Sequence, residues 1–294
     1  MFVVLGATGN TGRATAESLL SKGHKVRAVG RSAERLETLV RKGAEAAAGD
    51  AFDPGFLTEA FKGAGAAYVM LPPNAAATDF AGHYARAAES VEKALRATGL
   101  RRAVFLSSQG AQHEDGTGPI KALHAQEERF KKMDLDLTIL RPGYFFDNFF
   151  GALPLIKRQK INGSAIAKDV PFTMIATADI GAFAARELVR QGASGLKVMD
   201  LYGPRDMTMA EATRILGNAL GVPDLPYVRF SDGDFKGALV QVGFSAHVAD
   251  LFVEMSHAIS DGLVRGTDPR TPENTGATTL EAFAPALAQA YRAL

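Results

Sequence analysis

Leu5-Gly6-Ala7-Thr8-Gly9-Asn10-Thr11-Gly12-Arg13 joins a short apolar run, Met1-Phe2-Val3-Val4-Leu5, to a stretch of helical periodicity. The apolar run lacks a charged leader and meets glycine at position 6, so it reads as a strand and not as a signal peptide. Gly6 permits a tight turn out of that strand, and Gly9 lets the backbone approach a pyrophosphate. Gly12 lets the following helix pack close to the strand. Phosphates would then lie at a helix N-terminus, where free N–H groups and the helix dipole favour negative charge. The bland alternative is a structural glycine turn without a ligand. The strand before it and the helix after it favour the phosphate reading.

Outward from this turn, Val/Leu-rich runs alternate with longer amphipathic stretches, as in a parallel sheet covered by helices on both faces. Strands are expected near 2–5, 25–29, 44–48, 66–71, 103–107 and 136–140, and helices near 11–22, 33–42, 55–62, 79–98 and 119–132. Gly23, Gly43, Gly63 and Gly99 each follow a predicted helix, where a left-handed terminal residue favours glycine. Beyond about residue 145 the alternation loosens. Strands at 172–175 and 197–201 are expected to extend the sheet, with a helix at 179–190 between them. Helices at 208–220, 246–262 and 279–292 follow, the last opened by a Thr278/Glu281 capping box, and 266–276 reads as a surface loop. The expected fold class is therefore α/β, a Rossmann-type doubly wound parallel sheet with a smaller, mostly helical C-terminal substrate region. The expected division is a dinucleotide-binding domain at 1–150, then a sheet extension and substrate-binding region at 151–294.

The 294 residues are 47% hydrophobic and 22% charged, with a net charge of +1, which is ordinary for a globular protein with a core. No basic face is legible, so a nucleic-acid partner is not expected. The sequence contains no cysteine, which removes disulfides, thiolate nucleophiles and cysteine-ligated zinc. Its six histidines show no close metal-ligand pair, so no metal is expected. No apolar run approaches the ~18 residues of a membrane span. The expectation is a soluble cytoplasmic protein, either a monomer or a homodimer.

The end of the second strand bears on which dinucleotide is held. An acid there would accept from the ribose hydroxyls of NAD, whereas an arginine suits the 2′-phosphate of NADP. The residues are Val29-Gly30-Arg31-Ser32, without an acid. Arg31 offers a planar fork to a phosphate, and Ser32 and Arg13 add donors. NADP(H) is thus preferred and NAD(H) remains open. The alternative leaves Arg31 as a solvated loop residue.

These segments together resemble the NmrA-like family of atypical short-chain dehydrogenases/reductases. The shared stretches are GATGNTGR at 6–13, GRS at 30–32, GDAFD at 49–53, YVMLPP at 68–73, LSSQGA at 106–111, ILRPGYFFDNF at 139–149 and TGATTLEAFA at 275–284. They are similar in particular to the bacterial branch of NADPH-dependent quinone reductases and triphenylmethane reductase. In the turn itself Gly6, Thr8, Gly9, Asn10, Thr11, Gly12 and Arg13 are the candidate cofactor-binding residues. The resemblance implies that Asp50 and Ala51 hold the adenine edge and that the backbone of Leu71, Pro72 and Pro73 lines the ribose. Ser107-Ser108 occupy the serine region of the wider dehydrogenase family, with Ser107 a cofactor-binding candidate, and Pro142, Gly143 and Phe145 would bracket the nicotinamide. Each has a plainer alternative: Asp50 as a cap for the helix after Phe52, Pro72-Pro73 as a strand stop, Pro142 as a rigid turn.

The wider dehydrogenase family uses a tyrosine and a lysine in the following helix, the tyrosine as general acid or base. Here the helix reads Pro119-Ile120-Lys121-Ala122-Leu123-His124-Ala125-Gln126-Glu127-Glu128, which places Ile120 at the tyrosine position and His124 at the lysine position. Ordinary alcohol–ketone interconversion is therefore in doubt. The NmrA-like reductases show a similar histidine. Two readings of His124 stand side by side: a group that hydrogen-bonds the substrate or the nicotinamide ribose, or a helix-stabilising partner of Glu128. Lys121 is a further candidate. The aromatic run Tyr144, Phe145, Phe146, Phe149 and Phe150 either walls a flat pocket for a quinone or an aromatic dye or packs into the core. Two functions follow. One is an NADPH-dependent reductase passing hydride to a quinone-like or electron-poor aromatic acceptor. The other is a non-catalytic NAD(P)-sensing regulator with a protein partner.

Overall fold

The computed structural model describes residues 1–192 and 195–294. The N-terminal half alternates strictly: β1 (Phe2–Val4), α1 (Asn10–Ser21), β2 (Val26–Gly30), α2 (Ala33–Val40), β3 (Glu45–Ala48) and α3 (Pro54–Phe61). It continues with β4 (Ala66–Val69), α4 (Phe80–Thr98), β5 (Arg102–Leu106), α5 (Ile120–Lys131) and β6 (Asp136–Pro142). Every expected element of this half is present, its ends displaced by two residues or fewer. Gly23, Gly43, Gly63 and Gly99 all adopt positive φ, at 77°, 98°, 71° and 67°.

The later chain forms β7 (Tyr144–Phe145), a 3-10 helix at Phe146–Ala152, α6 (Leu153–Gln159), β8 (Asn162–Ser164), β9 (Phe172–Ile175), α7 (Thr177–Val189) and β10 (Leu196–Leu201). It ends with β11 (Asp206–Met207), α8 (Met209–Leu220), β12 (Tyr227–Arg229), α9 (Asp232–Gln241), α10 (Ala246–Ser260) and α11 (Leu280–Ala293).

The main sheet has seven strands in the order β10-β6-β5-β4-β1-β2-β3. All of its pairings are parallel. Its order reverses between β1 and β4, the switch point at which open sheets of this kind bind ligands. Side chains alternate across the sheet. Val3 and Leu5 join the core under α3, α4, α5 and α10, while Val4 joins the opposite core under α1, α2 and α7. A third core gathers the 3-10 helix, α6, α8, α11 and β9. At the α1–α7 crossing, a Cβ on Gly181 would stand 2.5 Å from Ala14, so glycine lets these backbones touch.

Three expectations are corrected. β9 does not extend the main sheet; it lies between β7 and β11 in a separate three-stranded sheet. The place beside β6 belongs to β10, whose six residues pair with Leu137 to Pro142. A Cβ on Gly143 would lie 2.5 Å from Thr173 Cγ2, so the glycine after β6 lets β9 cross close above the sheet end. Second, Thr279 rather than Thr278 caps α11, its hydroxyl accepting from Ala282 N–H. Thr278 donates both N–H and hydroxyl to Asp179 at 2.9 and 3.0 Å. Third, 266–276 is only partly a surface loop: Asn274 and Gly276 are buried. Tyr202 N–H donates to Asn274 C=O, and Gly276 N–H donates to Tyr202 C=O.

Among the described residues no helix is long and apolar enough to cross a membrane, and no group of three metal-ligating side chains is found.

Candidate active site

The parallel register brings the carboxyl ends of all seven strands to one edge, and the sequence-expected residues follow those ends. In the first turn Gly6 has φ 64°, and a Cβ there would lie 2.4 Å from Met70 Sδ. A Cβ on Gly12 would lie 2.3 Å from Gly6 C=O. Gly9 differs, because its Cβ would meet only Gly6 C=O, at 3.3 Å. Gly9 is the N-cap of α1, with no side-chain cap and no acid in the first turn. By helix geometry the N–H groups of Asn10, Thr11 and Gly12 have no intrahelical acceptor. The turn is thus a cradle that a side chain at position 9 would fill. Thr8 and Asn10 border it, whereas the Thr11 side chain is buried beside Tyr68 and offers only its backbone.

Beyond β2, Arg31 is exposed. The Ser32 hydroxyl caps α2, accepting from Arg35 N–H at 3.2 Å, which leaves its O–H to donate elsewhere. Arg35, which sequence reasoning missed, reaches back to the glycine turn and donates to Thr8 C=O at 3.4 Å. Its signal was present: one helical turn after Arg31, it sits on the side of α2 that faces the turn. Among the described residues Arg13, Arg31 and Arg35 enter no ion pair, although most other arginines do.

The segment after β3 keeps Asp50 exposed, its Oδ1 accepting from Phe52 N–H at 3.0 Å. Asp53, not Asp50, caps α3, accepting from Gly55 and Phe56 N–H with Pro54 in the first helical turn. Ala51 is half-buried. After β4, the Leu71 side chain is core, so only its backbone is available. His83 Nε2–H donates to Pro72 C=O at 2.9 Å, and Pro73 is exposed.

At the end of β5, Ser107 is buried and its hydroxyl donates to Glu127 Oε1 at 2.6 Å. Glu127 also pairs with Arg141 of β6: Nε donates to Oε1 at 2.8 Å and Nη2 to Oε2 at 2.5 Å. Both residues are buried. Burial pulls the Arg141 guanidinium pKa down, but the Glu127 carboxylate, helped by Asp200 and Asp268, more than offsets it, and the net shift is upward. Only one hint of this pair was legible, a charged residue inside the apolar strand Ile139-Leu140-Arg141-Pro142.

His124 is half-buried on α5. Its Nδ1 lies 2.9 Å from Ala111 C=O. A carbonyl only accepts, so Nδ1 carries the proton and Nε2 is left open to accept or, when protonated, to donate. The partner expected for it, Glu128, instead accepts from Lys131 at 2.8 Å. Lys121 is turned to α10, its Nζ 3.7 Å from Glu254.

Pro142 is buried, Gly143 N–H donates to Leu201 C=O, and Tyr144 and Phe145 are half-buried. Phe146 and Phe149 are fully buried in the third core. A 3-10 helix repeats every three residues, which puts both on its inward face. They therefore support the site from beneath, while Tyr144 and Phe145 stand partly exposed beside the end of β6 and Phe150 is exposed at the end of the run. Burial pushes the Tyr144 hydroxyl above its ordinary range, with Tyr227 adding to the effect. Tyr202, at the end of β10, is pushed up to about 12 by burial and then by Asp200 and Asp268. Neither phenol is a ready acid near neutral pH.

A family model described as NAD(P)H-binding matches residues 6–191. The chain is 24% identical to an NAD(P)H azoreductase of Xenophilus azovorans over 100% of both chains. It is 26% identical to quinone oxidoreductase 2 of Escherichia coli (strain K12) over 89% of each. The solved structure of Citrobacter sp. triphenylmethane reductase complexed with NADP(H) superposes with a TM-score of 0.81 at 22% identity, covering 98% of this chain and 100% of that one.

Proposed function

The chain belongs to the NAD(P)H-binding family, and from that premise we propose that it is an NADPH-dependent reductase acting on a quinone-like or similarly electron-poor aromatic acceptor. The observation that carries the cofactor choice is the trio Arg13, Arg31 and Arg35, without an ion pair among the described residues and placed in the first turn of α1, just after β2 and in the first turn of α2, where Arg35 reaches Thr8 C=O, with no acid at the end of β2. A phosphate on the adenosine ribose would supply the charge that this trio lacks. The cradle fits the rest of the group: an open face at Gly9 and free N–H groups at the start of α1 for the pyrophosphate, Asp50 and Ala51 for the adenine edge. Pro142, Gly143 and Phe145 stand at the nicotinamide end. When bound, the dinucleotide supplies hydride. This chain's residues bind it, orient its ring against the end of β6 and set where a proton enters.

The acceptor class follows from proton supply. The Ile120/His124 spacing lacks the tyrosine–lysine pair, and Tyr144 holds its proton tightly. An acceptor that stabilises incoming negative charge itself needs less acid from the protein. The names of the azoreductase and quinone-reductase relatives point to acceptors of that kind. His124 is the group proposed to assist protonation: Ala111 fixes its tautomer and leaves Nε2 available. Residues 1–150 would hold the cofactor, and 151–294 would cover the acceptor.

The test follows NADPH absorbance with a panel of quinones and azo dyes, against NADH and a Gly9→Val control. Oxidation dependent on both NADPH and acceptor supports the reading. Tight NADPH binding without oxidation by any acceptor replaces it with the cofactor-sensing one.

Two further outcomes are expected. Arg31→Ala weakens NADPH at least tenfold and leaves NADH nearly unchanged, since charge-assisted bonds to phosphate are each worth roughly 1.5–3 kcal/mol. Equal weakening of both in a calorimetric titration shows that Arg31 does not read the phosphate. His124→Ala lowers kcat by about 10–100-fold if Nε2 assists proton transfer. A loss below threefold at all pH values makes His124 a support for the 107–111 loop only.

A further inference from the structure

We propose that Glu127 is a positioning residue that sets the geometry of the nicotinamide end by tying the ends of β5 and β6 to α5, an inference that rests on the reductase reading above. Glu127 is fully buried on α5. Its two oxygens accept the Ser107 hydroxyl at the end of β5 and both arms of Arg141 near the end of β6, with Lys131 Nζ 3.4 Å away. Arg141 immediately precedes Pro142 and Gly143. Asp200 is its registered neighbour on β10. The Asp200 carboxylate is buried and accepts from Thr267 N–H at 2.6 Å, Thr267 hydroxyl at 3.2 Å and Asp268 N–H at 3.0 Å. Gln109 N–H then donates to Pro142 C=O at 3.0 Å, and Gln109 Nε2–H to Leu201 C=O at 3.3 Å. Buried charges thus stand side by side from α5 across β6 to β10, where Asp200 is tied to the C-terminal loop and acts on Arg141 electrostatically, beside the residues proposed to face the nicotinamide.

Stability alone is a poor reason for such a row, because a buried ion pair is often matched or bettered by apolar residues of similar volume. Geometry is a better one: small displacements of the reacting partners cost large factors in rate. The arrangement also settles the role of Ser107. Its hydroxyl proton is committed to Glu127, so it acts as a tether and not as a proton donor to the acceptor.

The experiment compares Glu127→Gln, the neutral pair Glu127→Gln/Arg141→Met, and Ser107→Ala with wild type. For the first two, the NADPH Kd is expected within about threefold of wild type, because the adenosine half is held elsewhere. Expected with it are a kcat lowered at least tenfold and loss of the emission enhancement that an immobilised nicotinamide shows on binding. The neutral pair recovers the melting temperature that the single variant loses, but not kcat. Recovery of kcat with melting temperature makes the network structural and overturns the proposal. If wild type binds NADPH but oxidises it with no acceptor, the reductase reading fails and the emission arm decides alone; unchanged emission in the neutral pair then overturns the positioning role. Ser107→Ala, which removes one hydroxyl and keeps the ion pair, serves if neither charge variant folds. It is expected to lower kcat about threefold with the pH profile unchanged, and a lost limb in that profile overturns the assignment.

Discussion

Gly9→Val abolishes binding of NADPH and NADH alike while far-ultraviolet circular dichroism stays native. The backbone at Gly9 is extended, with φ −94° and ψ 176°, a conformation that valine adopts readily. A Cβ there meets nothing of the protein except Gly6 C=O at 3.3 Å. The added methyls therefore project into the open face of the turn, where the pyrophosphate is proposed to lie. Each tenfold in affinity corresponds to about 1.4 kcal/mol, and a loss of at least a hundredfold is expected. Gly12→Val is the informative contrast. Its Cβ would stand 2.3 Å from Gly6 C=O and 2.9 Å from Leu5 C=O, so it unfolds or displaces the turn itself. Calorimetry on folded Gly9→Val that still binds NADPH would contradict the cradle.

Glu127→Ala is expected to be the most destabilising charge deletion in the protein. It strands the Arg141 guanidinium in the interior and leaves the Ser107 hydroxyl without its acceptor. Removing one member of a buried pair costs about 3–5 kcal/mol. At roughly 2–4 °C per kcal/mol for a chain of this size, the melting temperature falls by about 6–20 °C. Asp134→Ala is the control, since Arg101 and Asp134 form an ion pair whose side chains are 73% and 85% exposed. Exposed pairs contribute about 0–1 kcal/mol, and its melting temperature should barely move. Equal shifts for the two variants in thermal denaturation would mean that water reaches Glu127.

Both expectations start from residues that the sequence displays but differ in how visible the reason is. What makes Gly9 legible is local: strand, turn and helix lie within twenty residues, and the glycine spacing is one that would let a backbone approach a phosphate. What makes Glu127 important is not local. Glu127 falls at a position that helical periodicity would also permit to be solvated, and its partners stand 20 residues before it and 14 residues after it. Nothing in the spacing says that β5 and β6 become neighbours with α5 packed across them. Arg35 is a similar case, since its reach to Thr8 depends on how α2 leans on the first turn.

The short elements show the same limit. β7, β8, β11 and β12 have two or three residues each, too few for a period of two to register. α9 has no buried residue, so it lacks the apolar stripe that marks a helix in sequence. β9 was legible as a strand but not as a strand of the second sheet, because its pattern is apolar on both faces wherever it is buried.

The sequence by itself determined what depends on near neighbours. These are the βα alternation, the glycine stops of the helices, the glycine turn after β1, and the absence of an acid at the end of β2. Steric and hydrogen-bonding rules operate over one to four residues, so these features are written in spacing. Only the tertiary structure decided which nitrogen of His124 carries the proton and that Lys121 turns to α10. It alone decided that Phe146 and Phe149 are core and that the Ser107 hydroxyl donates its hydrogen bond to Glu127. Each of these depends on which distant backbone or charge packs against the side chain, and that is set by how the buried faces of whole elements fit together.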